Sequence, residues 1–123
     1  MPTLETSARN AACNAIADLV DAGTGAGTLQ LETSGDVEVA TLTFSDPAFG
    51  NAATGVCTAN AITDDSSATG GTVAQASIYD SDSNKILEMT AGTSGTEMIL
   101  TSTTIAATET VSCSSLTITV PAS

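Results

Sequence analysis

Val37-Glu38-Val39-Ala40-Thr41-Leu42-Thr43-Phe44 alternates strictly, with Val37, Val39, Thr41 and Thr43 on one parity and Ala40, Leu42 and Phe44 on the other. A period of two is the mark of a β-strand, whose successive side chains point to opposite faces. The same period extends outward in both directions. Upstream, Thr28–Glu32 sets Leu29 and Leu31 on one face, and Ser34-Gly35-Asp36 is a turn. Downstream, strands are expected over residues 55–60, 61–63, 72–79, 85–89, 96–102 and 110–120. Polar and Gly-containing stretches at 46–50, 64–71, 80–84 and 91–95 separate them. In 72–79, Val73, Gln75, Ser77 and Tyr79 stand opposite Ala74, Ala76 and Ile78. In 110–120 the register shifts at Ser114-Ser115, as at a β-bulge, and Pro121 ends the strand. About eight short strands at such spacing predict a mainly β chain, a β-sandwich or jelly roll.

Residues 7–22 are the exception, with a period of 3.6. Ala8, Ala12, Ala15, Ile16, Leu19 and Val20 fall on one stripe, Thr6 or Ser7 is placed to cap the start, and Gly23 stands just past the end. Gly23-Thr24-Gly25-Ala26-Gly27 reads as a flexible hinge into the β region. The chain is therefore expected to form a single domain over 1–123: an arm at 1–6, a helix at 7–22 packed against a sheet, and a β-sandwich over 28–121.

The composition excludes whole classes of function. There is no histidine and no tryptophan, Lys85 and Arg9 are the only basic side chains, and the net charge is −12. Groups that titrate near neutral pH, the usual general acids and bases, are missing, so no catalytic residue is expected. Two basic residues cannot neutralise a run of phosphates, so a nucleic-acid partner is not expected either. No run of about 18 apolar residues is present to cross a membrane. The start of the chain has neither the basic nor the apolar region of a secretion signal, which leads one to expect synthesis in a cytoplasm without processing. Aromatics are limited to Phe44, Phe49 and Tyr79. A core this poor in large side chains gains from assembly into an oligomer or a larger scaffold.

Local motifs add little chemistry. Cys13, Cys57 and Cys113 are odd in number and widely spaced, and they read as small buried hydrophobes rather than a disulfide framework, with a Cys57–Cys113 bridge as the alternative. Asp80-Ser81-Asp82-Ser83-Asn84 opens like a calcium loop. However, Lys85 stands where the loop needs glycine and Ala91 where it needs glutamate, so a hairpin turn is expected and no metal. Asp64-Asp65 reads as a solvated loop, and Gly23-x-Gly25-x-Gly27 follows a helix with no lysine nearby, unlike a phosphate loop. No cofactor is implied. In Asp46-Pro47-Ala48-Phe49-Gly50, Phe49 is either an exposed anchor for a partner or a buried plug at one end of the sandwich, with burial favoured.

Three stretches and the helix carry a resemblance. The helix Ala8-Arg9-Asn10-Ala11-Ala12-Cys13-Asn14-Ala15-Ile16-Ala17-Asp18-Leu19-Val20-Asp21-Ala22-Gly23 resembles the opening of small virion proteins of tailed bacteriophages. So do Leu42-Thr43-Phe44-Ser45-Asp46-Pro47-Ala48-Phe49-Gly50, Ala59-Asn60-Ala61-Ile62-Thr63 and Leu116-Thr117-Ile118-Thr119-Val120-Pro121-Ala122. The resemblance spans most of the chain and implies a structural role in the virion. The leading expectation is a capsid decoration (cement) protein on the outer surface of the expanded head, a homotrimer bound to the major capsid protein. Met1, Pro2, Thr3 and Leu4 would serve as a strand-adding arm, and Pro47 and Phe49 as further contacts. A tail or neck component is the first alternative, and a carbohydrate-binding or adhesin module the second.

Overall fold

The computed structural model describes residues 2–96, 98–100, 102–113 and 115–122. The chain is mainly β, with one helix, α1 (Thr6–Val20). The strands are β1 (Thr28–Glu32), β2 (Glu38–Phe44), β3 (Val56–Thr58), β4 (Ile62–Thr63), β5 (Gly71–Thr72), β6 (Gln75–Tyr79), β7 (Lys85–Gly92), β8 (Met98–Ile99), β9 (Thr104–Ile105) and β10 (Thr117–Thr119). Six of them form one sheet in the order β4-β2-β1-β6-β7-β8, antiparallel except for the last pair. The other four form two antiparallel pairs, β3 with β10 and β5 with β9. Two four-stranded sheets, the arrangement of a jelly roll, are not seen among the described residues.

Pairing follows from the alternation. On one face of the central sheet Leu29 lies between Leu42 and Ile78, and Leu31 between Ala40 and Ala76. All six side chains are buried. Leu87 and Met89 of β7 continue this apolar face, opposite Ile78 and Ala76. β10 covers it at Leu87 and Met89, and Met98, Leu100, Ile105, Val111 and Leu116 lie over it at β1 and β2. Together these make a second, less regular layer, so the arrangement is sandwich-like. Between the layers is a cavity of about 550 Å³ floored by Leu29, Leu31 and Leu42.

The alternation fails at one point. The β1–β2 register slips after Leu31, so that Glu32 faces Glu38 and Val39 is the extra residue of a bulge. Val39 is buried although its parity partner Val37 is 62% exposed. The segment 70–71 closes over Val39: Gly70 N–H donates to its carbonyl at 3.1 Å, and a Cβ on Gly71 would stand 3.1 Å from its Cγ2.

The helix also differs from its sequence reading. Its buried residues are Cys13, Ala17 and Val20; Leu19 is 53% exposed and Ala8, Ala12 and Ala15 face solvent. The face turned inward is rotated by about one residue, because a polar stripe beside it is fixed by hydrogen bonds. Asn10 Oδ1 accepts from Gly55 N–H, Asn14 Oδ1 from Ala52 N–H and Asp21 Oδ1 from Ala48 N–H, each at 2.8 Å. Residues 10, 14, 17 and 21 lie on one stripe of a helix, so α1 supplies acceptors for loop amides that the strands leave unpaired. The N-cap is Glu5, without a side-chain cap bond, rather than Thr6 or Ser7. Thr6 Oγ1 instead accepts from Arg9 Nη2 at 3.2 Å.

The C-terminal region is less regular than its sequence suggests. Of the strand expected over 110–120, only Thr117–Thr119 pairs as a strand among the described residues, with β3; Val111 makes an isolated bridge to Asp65. The expected bulge at Ser114-Ser115 involves Ser114, which lies outside the described residues.

Candidate functional site

The central sheet's second face holds a dense polar network. Gln75, Ser77 and Tyr79 of β6 share it with Glu32 of β1 and Glu88 of β7. Glu32 is only 1% exposed. Its Oε1 accepts from Ser77 Oγ–H at 2.8 Å and Gln75 Nε2 at 3.1 Å, and its Oε2 from Tyr79 O–H at 2.7 Å. Gln75 Nε2 also donates to Asp36 Oδ1 and lies 3.5 Å from Glu88 Oε1. One amide group with two N–H bonds thus serves three carboxylates. Lys85 Nζ, over the Tyr79 ring at 5.9 Å, pairs with Glu88 Oε1 at 2.7 Å.

The electrostatics follow from this arrangement. Burial, and then the hydrogen bond to Glu32, push the Tyr79 hydroxyl above the usual tyrosine range. The hydrogen bond to Glu88 raises Lys85, as does the negative field of Glu88 and Glu32. Oxygens of Glu32, Asp36 and Glu88 lie within 4.8 Å of one another, a spacing and ligand type that suit a hard divalent cation. Ser77, Tyr79 and Gln75 already occupy Glu32, so the network is complete as a hydrogen-bonded unit. The network leaves no continuous mark in the sequence, because Glu32 meets these partners across 43 to 47 residues. The only local signal was that Gln75, Ser77 and Tyr79 share one parity.

The motifs singled out in the sequence fall elsewhere. Asp80 Oδ1 accepts from the backbone N–H of Asp82 and Asn84, both at 2.9 Å, and Oδ2 from the Asn84 side-chain amide at 3.0 Å. Those bonds, led by the Asn84 backbone N–H, hold the Asp80 carboxyl below its usual range and spend its oxygens on the turn. Ser81 Oγ accepts from Thr24 and Gly25 N–H at 3.1 and 3.3 Å and donates to Ala22 O at 3.2 Å. The Gly23–Gly27 stretch is therefore tied to the 80–84 turn rather than free as a hinge. Asp65 accepts from Thr41 N–H at 2.8 Å and Ser67 N–H at 2.9 Å, whereas Asp64 is exposed.

The partner-binding candidates divide. Phe49 is buried, its ring centroid 5.5 Å from that of Phe44, so it plugs the core and does not project toward a partner. Pro47 is exposed at the tip of the same loop, after a cis peptide bond from Asp46. Pro2, Thr3 and Leu4 are exposed, and Leu4 N–H donates to Ala122 O at 2.7 Å. Met1 lies outside the described residues. The structure brings the arm beside the C-terminal segment and separates Pro47 from Phe49 by burial. Comparison with protein-family models, curated proteins and solved structures gives no match.

Proposed function

We propose that this chain is a non-enzymatic structural protein of a tailed-phage virion, a capsid decoration protein that binds the outside of the expanded head. The observation that carries the reading furthest is the N-terminal arm. Pro2, Thr3 and Leu4 precede α1 as an exposed segment with a backbone bond to the body from Leu4 N–H to Ala122 O. An exposed extended segment can add a strand to the edge of a neighbouring sheet, where main-chain hydrogen bonds supply affinity. Pro47, exposed on a loop tied down by Asp21 and Asn60, offers a second, rigid contact. The sequence resemblance to small virion proteins supports the same reading, as does an acidic surface that keeps the free protein soluble and away from nucleic acid and anionic membrane.

The mechanism is mass action. A module that binds only the assembled, expanded lattice of the major capsid protein stabilises that lattice by its binding free energy. A homotrimer seated on a lattice three-fold multiplies weak single contacts into firm attachment. Purified protein mixed with stripped, expanded heads and sedimented tests this. Saturation at one trimer per three-fold, lost when residues 2–5 are deleted, is the expected outcome. No binding to heads, with the protein recovered in isolated tails, replaces this reading with that of a tail or neck component.

A further inference from the structure

Two of the three cysteines lie where α1 packs against the β3–β10 pair. Cys13 and Cys57 are both fully buried, with free thiols. Cys13 Sγ donates to Ile118 O at 3.2 Å, and Ile118 is the residue paired with Cys57 across the β3–β10 ladder. Asn14, next to Cys13 in the helix, has its Oδ1 3.9 Å from Cys57 Sγ. The Cys57 side chain thus lies beside Asn14 of the helix and across the ladder from Ile118, whose carbonyl the neighbouring Cys13 thiol reaches. Cys113 is half-buried elsewhere, with its Sγ 3.3 Å from Ser115 O.

We propose that Cys13 and Cys57 form a redox pair that closes to a disulfide with a low-molecular-weight disulfide such as oxidised glutathione, locking α1 onto the second layer. One cysteine loses its proton to solvent and its thiolate attacks a glutathione sulfur. The glutathione S–S bond breaks, and the departing glutathione thiolate takes up a proton. The second cysteine loses its proton in turn, its thiolate attacks the protein-side sulfur of the mixed disulfide, and the second glutathione leaves as a thiolate that takes up that proton. The protein dithiol is oxidised, and one oxidised glutathione is reduced to two thiols.

Burial sets the rate. Desolvation, and then the bond and charge of Cys13 with a smaller contribution from Asp18, push the Cys57 thiol up to about 12. The thiolate is the attacking species, so the closed fold reacts slowly; the mixed disulfide forms mainly while α1 is undocked, and the pair closes when the helix docks again. The oxidised form then keeps the helix attached under conditions that would otherwise release it. A cross-link spanning this much chain stabilises by restricting the unfolded state.

The test uses full-length protein carrying Cys113→Ser, refolded from urea in a mixture of oxidised and reduced glutathione. Free thiols are then alkylated and peptides mapped by mass spectrometry. The expected product is a chain with no alkylatable thiol and one linked Cys13–Cys57 peptide pair, with a thermal midpoint roughly 5–15 °C above the reduced form. Dithiothreitol should reverse the shift, and Cys57→Ala should abolish it. The already folded reduced protein should close at least about tenfold more slowly than the refolding chain at the same pH. Recovery of two free thiols, or of glutathione adducts on separate cysteines, from the refolding mixture overturns the proposal. So does a linked species whose midpoint equals that of the reduced protein, because the cross-link would then hold nothing in place.

Discussion

The two faces of the central sheet are made by the same strands, yet they are held together in different ways. One face is apolar and layered: Leu29, Leu31, Leu42, Ala76 and Ile78 pack beneath the second layer. The other buries a carboxylate, Glu32, in a network of hydroxyl and amide donors with a single ammonium at its margin. The apolar face depends on area and filling, which are tolerant of detail. The polar face depends on partners, because each buried group there costs free energy unless its bond is made. Damage should therefore be graded by volume on one face and by lost partners on the other.

The largest loss is expected on the apolar face. Leu29→Ala removes a fully buried side chain at the centre of the β2-β1-β6 triplet, beside a cavity of about 550 Å³. Deletions of this kind cost about 2–5 kcal/mol. Urea unfolding of Leu29→Ala and Phe44→Ala should show midpoints well below that of the parent. A loss under about 1 kcal/mol at Leu29 would mean that the cavity collapses onto the vacated space.

On the polar face, Glu32→Ala strips the acceptor from Ser77, Tyr79 and Gln75 at once. Buried donors left without partners cost about 1–3 kcal/mol each, offset by relief of repulsion from Asp36 and Glu88. A net loss of about 2 kcal/mol is expected, with Glu32→Gln losing less because one acceptor oxygen remains. Equal losses in the two variants would show that charge, rather than hydrogen bonding, holds this face.

The contrast between the faces also explains what could be read in the sequence. β1 was legible to the residue and β2 nearly so, because one face of each is uniformly apolar and a slip of one would expose it. Glu32 was not legible: its neighbours are brought by β6 and β7, and a lone glutamate ending a strand looks like a solvated residue. The orientation of α1 was legible only in part, with Ile16 and Val20 of the expected stripe on the core but Ala8, Ala12, Ala15 and Leu19 outside it, for a related reason. An apolar stripe of alanines competes with a stripe carrying Asn10, Asn14 and Asp21, and hydrogen bonds to loop amides decided between them. In residues 110–120, Ser and Thr fit either face equally well, so alternation alone could not specify pairing. Among the site candidates, Phe49 could be read either as a buried plug or as a partner contact, since a phenylalanine in the Pro47–Gly50 loop fits both, and its packing on Phe44 decides for burial. The network around Glu32 was not legible, since it exists only after the strands pair.

Asn14→Ala tests whether the helix is held by its polar stripe or by its apolar one. The Ala52 amide would lose its acceptor, at a cost of about 1 kcal/mol. Hydrogen exchange should report faster exchange at Ala52 with little change at Leu29 or Ile78. Uniform acceleration across the sheet would mean instead that α1 and the sheet open as one unit.

The smallest effects belong to the rim of the polar face, and pH separates them from the rest. Tyr79 titrates above its ordinary range in the folded chain because burial and then the Glu32 bond favour its neutral form. The native state therefore holds a proton that the unfolded chain releases near pH 10, and stability falls as pH rises through that value. Below it the group contributes no slope, since both states are protonated. Tyr79→Phe should flatten this alkaline limb at the cost of the bond to Glu32, as equilibrium unfolding between pH 8 and 11 would show. Lys85→Ala, by contrast, removes an exposed ion pair to Glu88 and a cation–π contact over the Tyr79 ring. Exposed pairs contribute little and are screened by salt, so its unfolding midpoint at neutral pH should match the parent within error, more closely still at high salt. A clear loss that survives high salt would instead place Lys85 among the groups that hold the carboxylates of this face together.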